Sequence, residues 1–335
     1  MTSSTHSVDV PGVLQTGVAN VSSGRDGDAQ LMNAVKACVH SAGFLATSVF
    51  SYFIVVTVCG TAELRQNLRY VLLCHHCSCI AAFNAAGGLI HTLRTLRLPA
   101  PRILCWVLFD LQVALARSLV ITLTLMALDT CLSVCWPLRY PALVHGAKRR
   151  VMLVTWVLAL LSPVMFTVLA CAEAPRGYLT EPDPDCPTAL EGLIPRISAL
   201  AFLALLTSLI LLSYALIYWE GRRAGHFSRS NSRGRRTILI HGLQISLHIL
   251  PGMVIISRLR KSTTAALANF MLFSLAQALS PIVYGLRSRE IRAQLPRFLP
   301  RWTRVCWRGN ATEHASARDA TMLSEEEMGM TNGCR

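Results

Sequence analysis

Long apolar stretches alternate with shorter polar segments along most of this chain. Seven of the stretches are long enough to cross a lipid bilayer as an α-helix, which requires about 20 residues. We place them at residues 37–59, 68–92, 103–135, 151–171, 194–219, 238–257 and 263–286. They leave no room for a soluble domain of ordinary size. The pattern therefore predicts an all-α membrane protein, built as a seven-transmembrane helix bundle.

The segment after the last span has a different pattern, because arginines alternate there with apolar residues. Such a basic, amphipathic segment is typical of a helix that lies along a membrane surface. Just before it, Pro281 removes a backbone hydrogen bond near the end of the seventh span, and Tyr284 follows about one turn later. We therefore predict four regions: an extracellular N-terminus at 1–36, the bundle at 37–286, a short amphipathic eighth helix at 287–299 and a flexible cytoplasmic tail at 300–335.

The positive charges are distributed unevenly between the polar segments. The formal net charge is +14, and most Lys and Arg outside the spans lie after the first, third, fifth and seventh spans. Positively charged segments mark the cytoplasmic side of a membrane protein, so we expect the N-terminus outside and a bilayer, rather than nucleic acid, as the partner. The first 35 residues lack the apolar core of a cleavable signal peptide. Asn20, in Asn-Val-Ser, then becomes a candidate glycosylation site.

The twelve cysteines follow no metal-ligand spacing, and we expect no metal and no cofactor. Cys105 opens the third span at its outer end, and Cys186 lies in the outer loop before the fifth span. Disulfides persist on the oxidising outer face of a cell, so these two cysteines can bridge. Cys171, at the end of the fourth span, is the alternative partner for Cys105.

Two motifs, at the ends of the third and seventh spans, are more specific. The third span ends in MALDTCLSVCWPLRYP at 126–141, and the seventh ends in PIVYGLRSREIR at 281–292. Together they resemble the rhodopsin-like (class A) G-protein-coupled receptors, whose third helix ends in Asp/Glu-Arg-Tyr. Cys105 has the family's spacing from this motif, Trp156 matches its fourth-helix tryptophan and Tyr214 its fifth-helix tyrosine.

Within that family, the chain resembles the odorant receptors. Many of these continue the third helix with a Pro-Leu-Arg-Tyr loop, which is present here at 137–140. The segments NLRYVLL at 67–73 and RRTILIHGLQISL at 235–247 resemble bony-fish odorant receptors of the 131-2-like type. The resemblance implies a chemosensory receptor of the plasma membrane that binds a small-molecule odorant and signals to a heterotrimeric G-protein. It implies no enzyme activity.

Several switch positions of the family carry other residues here. Thr130 stands where the family has the third-helix arginine, which pairs with the adjacent acid at rest and turns towards the G-protein in the active state. The second span has no sodium-binding acid. Ser280 replaces the Asn/Asp before the seventh-span proline, Ile249 the sixth-helix tryptophan, and Ser51 the first-helix asparagine.

Two hypotheses follow from these departures. Either the receptor couples by a modified mechanism, or it is a degenerate receptor-like membrane protein with weak or no G-protein coupling. The basic loop after the fifth span and the basic eighth helix favour the first. The resemblance assigns activation and coupling roles to Asp129, Thr130, Arg139, Tyr214, Pro281 and Tyr284.

In this family small ligands bind in the outer half of the bundle. Gln112, Val113, Ala116 and Arg117 share one face of the third span, and Arg117 lies about 18 Å along the axis from Asp129. A charge near mid-membrane is costly and rarely faces lipid. Arg117 is therefore either an anchor for an anionic ligand, through a bidentate contact with a carboxylate, or an interhelical partner of His91, Asp110 or Gln277.

Three further positions complete the predicted ligand site. Asp110 lies nearer the outer end, where it either contacts a ligand or is a rim charge. Ile249 stands at the sixth-helix tryptophan position and Ser274 at the position of the opsins' retinal lysine, so no Schiff base can form. Gln112 falls where amine receptors have an aspartate, which disfavours a monoamine ligand.

Other classes of membrane protein fit the sequence less well. A transporter needs paired intramembrane charges or broken helices, whereas the spans contain one central arginine and no acidic relay. The spans also lack the His-Glu-x-x-His or Gly-x-Ser motifs of intramembrane proteases.

Overall fold

The computed structural model describes the backbone of residues 13–144, 146–223, 242, 246–256 and 262–298, and most of their side chains from residue 27 onward. The described helices are α1 (Val13–Gly60), α2 (Ala62–Gln66), α3 (Leu68–Thr95), α4 (Arg102–Cys135), α5 (Tyr140–Val144), α6 (Ala147–Glu173), α7 (Leu193–Arg223), α8 (Ser246–Ile256), α9 (Thr263–Arg287) and α10 (Arg289–Phe298), with a short 3-10 helix at Ala189–Glu191.

The predicted bundle is confirmed. Six described helices are long and apolar enough to cross a membrane, and the apolar helix α8 corresponds to the predicted sixth span. The spans predicted third, fourth, fifth and seventh correspond to α4, α6, α7 and α9, and each helix is slightly longer than its apolar stretch. The first differs most, because α1 begins at Val13, well before the apolar residues start. The first part of the predicted sixth span, before residue 246, lies largely outside the described residues.

The long helix α4 forms the centre of the bundle. It packs against α3 on one side and against α6 and α7 on the other, while α1 packs against α3, α9 and α10. One apolar cluster lies where α1, α3 and α10 meet, and includes Ile54, Tyr70 and Ile291. Another joins α4, α7 and α8 through Ala127, Ile210 and Ile249. This arrangement places side chains of α4 against most of the bundle.

A small β-structure and a disulfide close one end of the bundle, which we call the disulfide end. Strands β1 (Ala100–Pro101) and β2 (Pro182–Asp183) pair antiparallel, and Cys105 at the start of α4 is bonded to Cys186. The structure thus joins the two cysteines preferred from the sequence, and Cys171 is a free thiol. Arg102 adds ion pairs to Glu181 at 2.7 Å and to Asp183 at 3.0 Å. The Arg102 guanidinium holds the pKa of the Asp183 carboxyl below its usual range.

The opposite end carries the predicted short amphipathic helix, α10. Helix α9 continues through Pro281 and ends at Arg287, and Ser288 then adopts an extended backbone conformation. The Ser288 hydroxyl accepts a hydrogen bond from the backbone N–H of Ile291 at 3.2 Å, which satisfies a free donor at the start of α10. Ile291 is buried against α1 and α3, so α10 is fixed at its first turn.

Candidate functional site

A cavity of about 460 Å³ lies between the helices near the disulfide end. Residues of α1, α3, α4, α6, α7, α8 and α9 line it, together with Glu191 of the 3-10 helix that follows Cys186. Pockets that hold small organic molecules commonly measure about 300–1,000 Å³. The cavity is therefore large enough for a small-molecule ligand.

Aromatic side chains form much of its wall. Six phenylalanines from five helices line the cavity: Phe83, Phe109, Phe166, Phe202, Phe270 and Phe273. Apolar walls with a few polar groups are typical of sites that bind the apolar body of a ligand and orient it by its polar ends. The polar groups therefore decide which ligand fits.

Arg117 is the central polar group of the cavity. Its Nη1 donates a hydrogen bond to the hydroxyl of Ser162 on α6, and its guanidinium lies over the ring of Phe202 on α7, 4.0 Å from the centroid. Its Nε is buried and has no hydrogen-bond partner among the described residues. The interhelical contacts of Arg117 are thus to Ser162 and Phe202, not to the partners considered from the sequence. Among the described residues, the Nε edge of the guanidinium is therefore not used in a hydrogen bond.

Four of the seven predicted ligand residues line this cavity, namely Gln112, Val113, Ala116 and Arg117. The other three lie elsewhere. The Asp110 carboxylate accepts a hydrogen bond from Thr167 on α6 at 2.9 Å, because its side chain leaves α4 on the α6 side. Ile249 is buried in the apolar cluster between α4, α7 and α8. Ser274 is not part of the cavity wall, and its buried hydroxyl has no hydrogen-bond partner among the described residues.

A polar cluster on α1 and α3 forms another part of the cavity wall. The Nδ1 of His40 lies 3.1 Å from Oδ1 of Asn84, and the Asn84 amide nitrogen donates to the carbonyl of Ile80 at 3.0 Å. The His40 ring stacks on that of His91, with centroids 5.7 Å apart. Both imidazoles line the cavity. The sequence interpretation missed His40, although a histidine inside an apolar span is rare enough to indicate a site.

Other lining residues left no comparable signal in the sequence. Ser162 is an ordinary small residue in the fourth span, and Phe202 is one of many apolar residues in the fifth. Only their contacts with Arg117 distinguish them. The order of residues along a helix does not indicate which neighbouring helix each side chain meets.

The charges that line the cavity are mostly positive. Lys36, Arg117 and Arg196 contribute three cations, and Glu191 is the one carboxylate among the described lining residues. With neutral imidazoles, the described wall therefore has a net charge of +2. A positive, largely apolar cavity favours an anionic ligand over a cationic one.

Neutral polar contacts occupy the centre of the bundle, where the family carries its sodium-binding acid. His76 Nε2 lies 3.1 Å from the Ser280 hydroxyl, and Ser51 donates to the backbone carbonyl of Cys77 at 3.1 Å. Among the described residues, no group of three or more His, Cys, Asp or Glu side chains is placed to hold a metal ion.

At the end of the bundle opposite the disulfide, Asp129 has a specific partner. The Tyr140 hydroxyl donates a hydrogen bond to its Oδ1 at 2.9 Å, and Asp129 is 6% exposed. Burial and the bond to Asp129 raise the pKa of Tyr140 to about 12, so the phenol remains a donor at physiological pH. Thr130, in the family's arginine position, donates to the backbone carbonyl of Met126 at 2.8 Å. Its side chain therefore turns back on its own helix.

The remaining predicted coupling residues are only partly described. Arg139 is exposed in the turn before α5, Tyr214 packs against the cluster between α4, α7 and α8, and Pro281 is buried in α9. The Tyr284 side chain lies outside the described residues. The same is true of the Asn20 side chain, most of the basic loop after α7 and the predicted tail.

Comparison with known proteins identifies the family. The model of the family described as 7 transmembrane receptor (rhodopsin family) matches residues 51–284, which is more than half of the chain. The chain therefore belongs to the rhodopsin family of seven-transmembrane receptors, as the end motifs of the third and seventh spans predicted.

Two human proteins are similar over much of their length. The chain is 27% identical to "Probable G-protein coupled receptor 148" over 277 residues, covering 76% of this chain and 79% of that protein. It is 25% identical to "Olfactory receptor 13F1" over 216 residues, covering 57% of this chain and 64% of that protein. These comparisons support receptor signalling and do not favour the degenerate receptor-like alternative. The finer resemblance to bony-fish odorant receptors stays a prediction.

Proposed function

We propose that this chain is a chemosensory receptor of the plasma membrane, and that it detects small anionic molecules. Its N-terminus and disulfide end face outside, and the end that carries Asp129 and α10 faces a heterotrimeric G-protein. The similarity to an olfactory receptor, the resemblance to bony-fish odorant receptors and the distribution of basic residues support this assignment.

The Nε edge of the Arg117 guanidinium is the main support for an anionic ligand. A guanidinium binds a carboxylate best through two parallel N–H groups. Ser162 occupies Nη1, so Nε and Nη2 form the edge that remains for such a contact. The Phe202 ring covers one face of the group and restricts its orientation. A carboxylate at this edge would satisfy the buried Nε and neutralise a charge near mid-membrane.

Signalling would proceed by a modified form of the family's mechanism. A ligand held by Arg117 contacts α4. The other walls of the same cavity include residues of α7, α8 and α9. A shift of these helices would open the end that carries Asp129 to a G-protein. Because Thr130 has no charge, contacts with the G-protein would depend on neighbouring basic residues such as Arg139 and Arg222.

The first test is G-protein activation in cells by four receptors: the wild type, Thr130→Arg, Arg117→Gln and Arg176→Gln. Arg176 is an exposed loop residue and serves as the matched control for loss of an arginine. The ligands are a panel of amino acids and small carboxylates, each beside its uncharged amide. We expect the wild type and Arg176→Gln to respond to a carboxylate but not to its amide. Arg117→Gln should lose roughly 10- to 100-fold in potency, as expected for a hydrogen-bonded charge contact.

Other outcomes separate the parts of the proposal. If only Thr130→Arg responds, the natural chain binds ligand without efficient coupling. If a carboxylate and its amide are equally potent, or if Arg117→Gln and Arg176→Gln behave alike, the anionic site is refuted. If no variant responds although all reach the surface, binding of the same panel to purified receptor decides whether the ligand class or the coupling is wrong.

A further inference from the structure

The cavity contains a second polar position, formed where α1, α3 and α4 come together at Gly87. A Cβ on Gly87 would lie 2.7 Å from Nε2 of His40 and 2.7 Å from Nε2 of Gln112. Two side-chain nitrogens from different helices therefore approach the same point beside a residue that has no side chain. Both His40 and Gln112 line the cavity, so we call this position the Gly87 notch.

The hydrogen bonds of His40 define what the notch offers. Asn84 donates through its amide nitrogen to Ile80, so the Asn84 oxygen that faces His40 is an acceptor. His40 must then donate through Nδ1, which leaves Nε2 of the neutral imidazole as an acceptor. The Gln112 amide nitrogen is a donor. Among the described residues neither nitrogen has a hydrogen-bond partner, so the notch presents one acceptor and one donor side by side.

The notch and Arg117 lie at different heights and on different walls of the same cavity. Gln112 and Arg117 are five residues apart on α4, which is about 7.5 Å along the helix axis. The Gln112 amide meets α1 and α3, whereas the Arg117 guanidinium meets α6 and α7. Between them the wall is formed by Val113, Ala116 and phenylalanines.

We propose that the ligand is a bipolar amphiphile: a carboxylate at Arg117, an apolar chain along the phenylalanines, and an uncharged hydroxyl in the Gly87 notch. This inference rests on the proposed function for its carboxylate end and adds the second polar contact. A hydroxyl both donates and accepts; it would donate to His40 Nε2 and accept from the Gln112 amide. A second carboxylate would meet the acceptor lone pair of His40 and is disfavoured there.

The test compares octanoate, ω-hydroxyoctanoate and octanediol, together with the hexanoate and dodecanoate homologues, by calorimetric titration of the purified full chain in nanodiscs. The measured quantity is the ratio of the octanoate Kd to the ω-hydroxyoctanoate Kd, in which membrane partitioning cancels between receptor variants. We expect this ratio to fall about three- to tenfold, the worth of a hydrogen bond, in Gly87→Ala and in Gln112→Leu. Gly88→Ala is the matched control, because its Cβ would make only an ordinary 3.4 Å contact with Ser41.

Each component can fail separately. If the ratio is the same in the wild type, Gly87→Ala and Gln112→Leu, the notch is not a ligand contact, even if Arg117→Gln still abolishes octanoate binding. If Gly87→Ala does not fold, Gln112→Leu alone decides this point. If no acid binds, or if Lys36→Gln abolishes binding while Arg117→Gln does not, the proposed contact between the ligand carboxylate and Arg117 is refuted. The proposed orientation of the ligand in the cavity is then refuted as well.

Discussion

Among single residues, Asp129 and Tyr140 form a specific contact at the position where the family has its resting ion pair. In the family the arginine beside this acid is its resting partner, and here that position is Thr130. The structure supplies the tyrosine of the following Pro-Leu-Arg-Tyr loop instead, at 2.9 Å from the carboxylate. The bond links the end of α4 to the loop helix α5. A loop tyrosine thus replaces a helix arginine in satisfying the buried acid.

Removing this hydroxyl tests the contact. In Tyr140→Phe the buried Asp129 carboxyl loses its hydrogen bond, so we expect the free energy of unfolding to fall by about 1–3 kcal/mol. Thermal denaturation in detergent measures the change. Tyr52→Phe is the control, because Tyr52 on α1 is 64% exposed and its loss of a hydroxyl should be neutral. Equal melting temperatures for all three proteins would show that the bond adds nothing to stability.

The same bond has a defined dependence on pH. The pKa of Tyr140 lies above its ordinary value of 10.0, at about 12, so the folded receptor binds the phenolic proton more tightly than the unfolded chain does. This stabilisation is complete below pH 10 and is lost as the pH rises towards 12. The difference in the free energy of unfolding between the wild type and Tyr140→Phe should therefore be constant near neutrality. It should disappear only in strong alkali.

Among the helices, the contact between α1 and α9 sets the position of α10. Gly285 of α9 is buried, and a Cβ there would lie 2.8 Å from Cδ1 and 3.2 Å from Cγ1 of Ile54. Ile54 belongs to the same cluster as Ile291 of α10. Because Gly285 has no side chain, α9 can approach α1 closely enough for Ile291 of α10 to pack into this cluster. The glycine of the PIVYG motif has a packing role that its neighbours Pro281 and Tyr284 do not indicate.

A compensating pair of substitutions measures this approach. Gly285→Ala should destabilise the receptor by about 1 kcal/mol, at the low end of overpacking costs because the nearest atom is a terminal methyl group. Ile54→Val removes that methyl group, so the double variant should lose less than the sum of the two single variants. Gly27→Ala is the control, since nothing lies within 4 Å of its Cβ. Additive effects in thermal denaturation would mean that the two residues do not press on each other.

At the scale of the whole molecule, hydropathy alone predicted the bundle, because each span must satisfy its own backbone inside a bilayer. The predicted limits of the third span, 103–135, agree closely with α4, Arg102–Cys135. Cys105 and Cys186 could be paired from the sequence, because Cys105 begins the third span and Cys186 precedes the fifth. These features depend on position along the chain, which the sequence records directly.

The cavity could be predicted only along α4. Helical spacing placed Gln112, Val113, Ala116 and Arg117 on one face, and all four line the wall. It could not place Ser162, Phe202 or His40, because contacts between helices depend on how each helix is rotated and tilted against its neighbours. Asp110 shows the same limit: two residues from Gln112, its side chain meets Thr167 on α6 instead of the cavity.

The orientation of the whole molecule in the membrane remains a prediction, and it can be tested independently of any ligand. The basic segments predict that the N-terminus and the disulfide end lie outside. Asn20 would then be glycosylated, whereas Asn310, in the Asn-Ala-Thr of the predicted tail, would not. We expect Asn20→Gln to remove the glycosidase-sensitive mass of the receptor expressed in animal cells, and Asn310→Gln to leave it unchanged.

Epitope labelling completes this test, because an unused sequon by itself does not reveal the side on which it lies. A tag at the N-terminus should be stained on intact cells, and a tag at the C-terminus only after permeabilisation. The opposite staining pattern would show that the bundle has the inverted orientation in the membrane. The cavity at the disulfide end would then open towards the cytoplasm, and Asp129, Arg139 and α10 would face outside, where no G-protein is present. The proposed function therefore depends on this orientation, which follows from where the arginines lie between the spans.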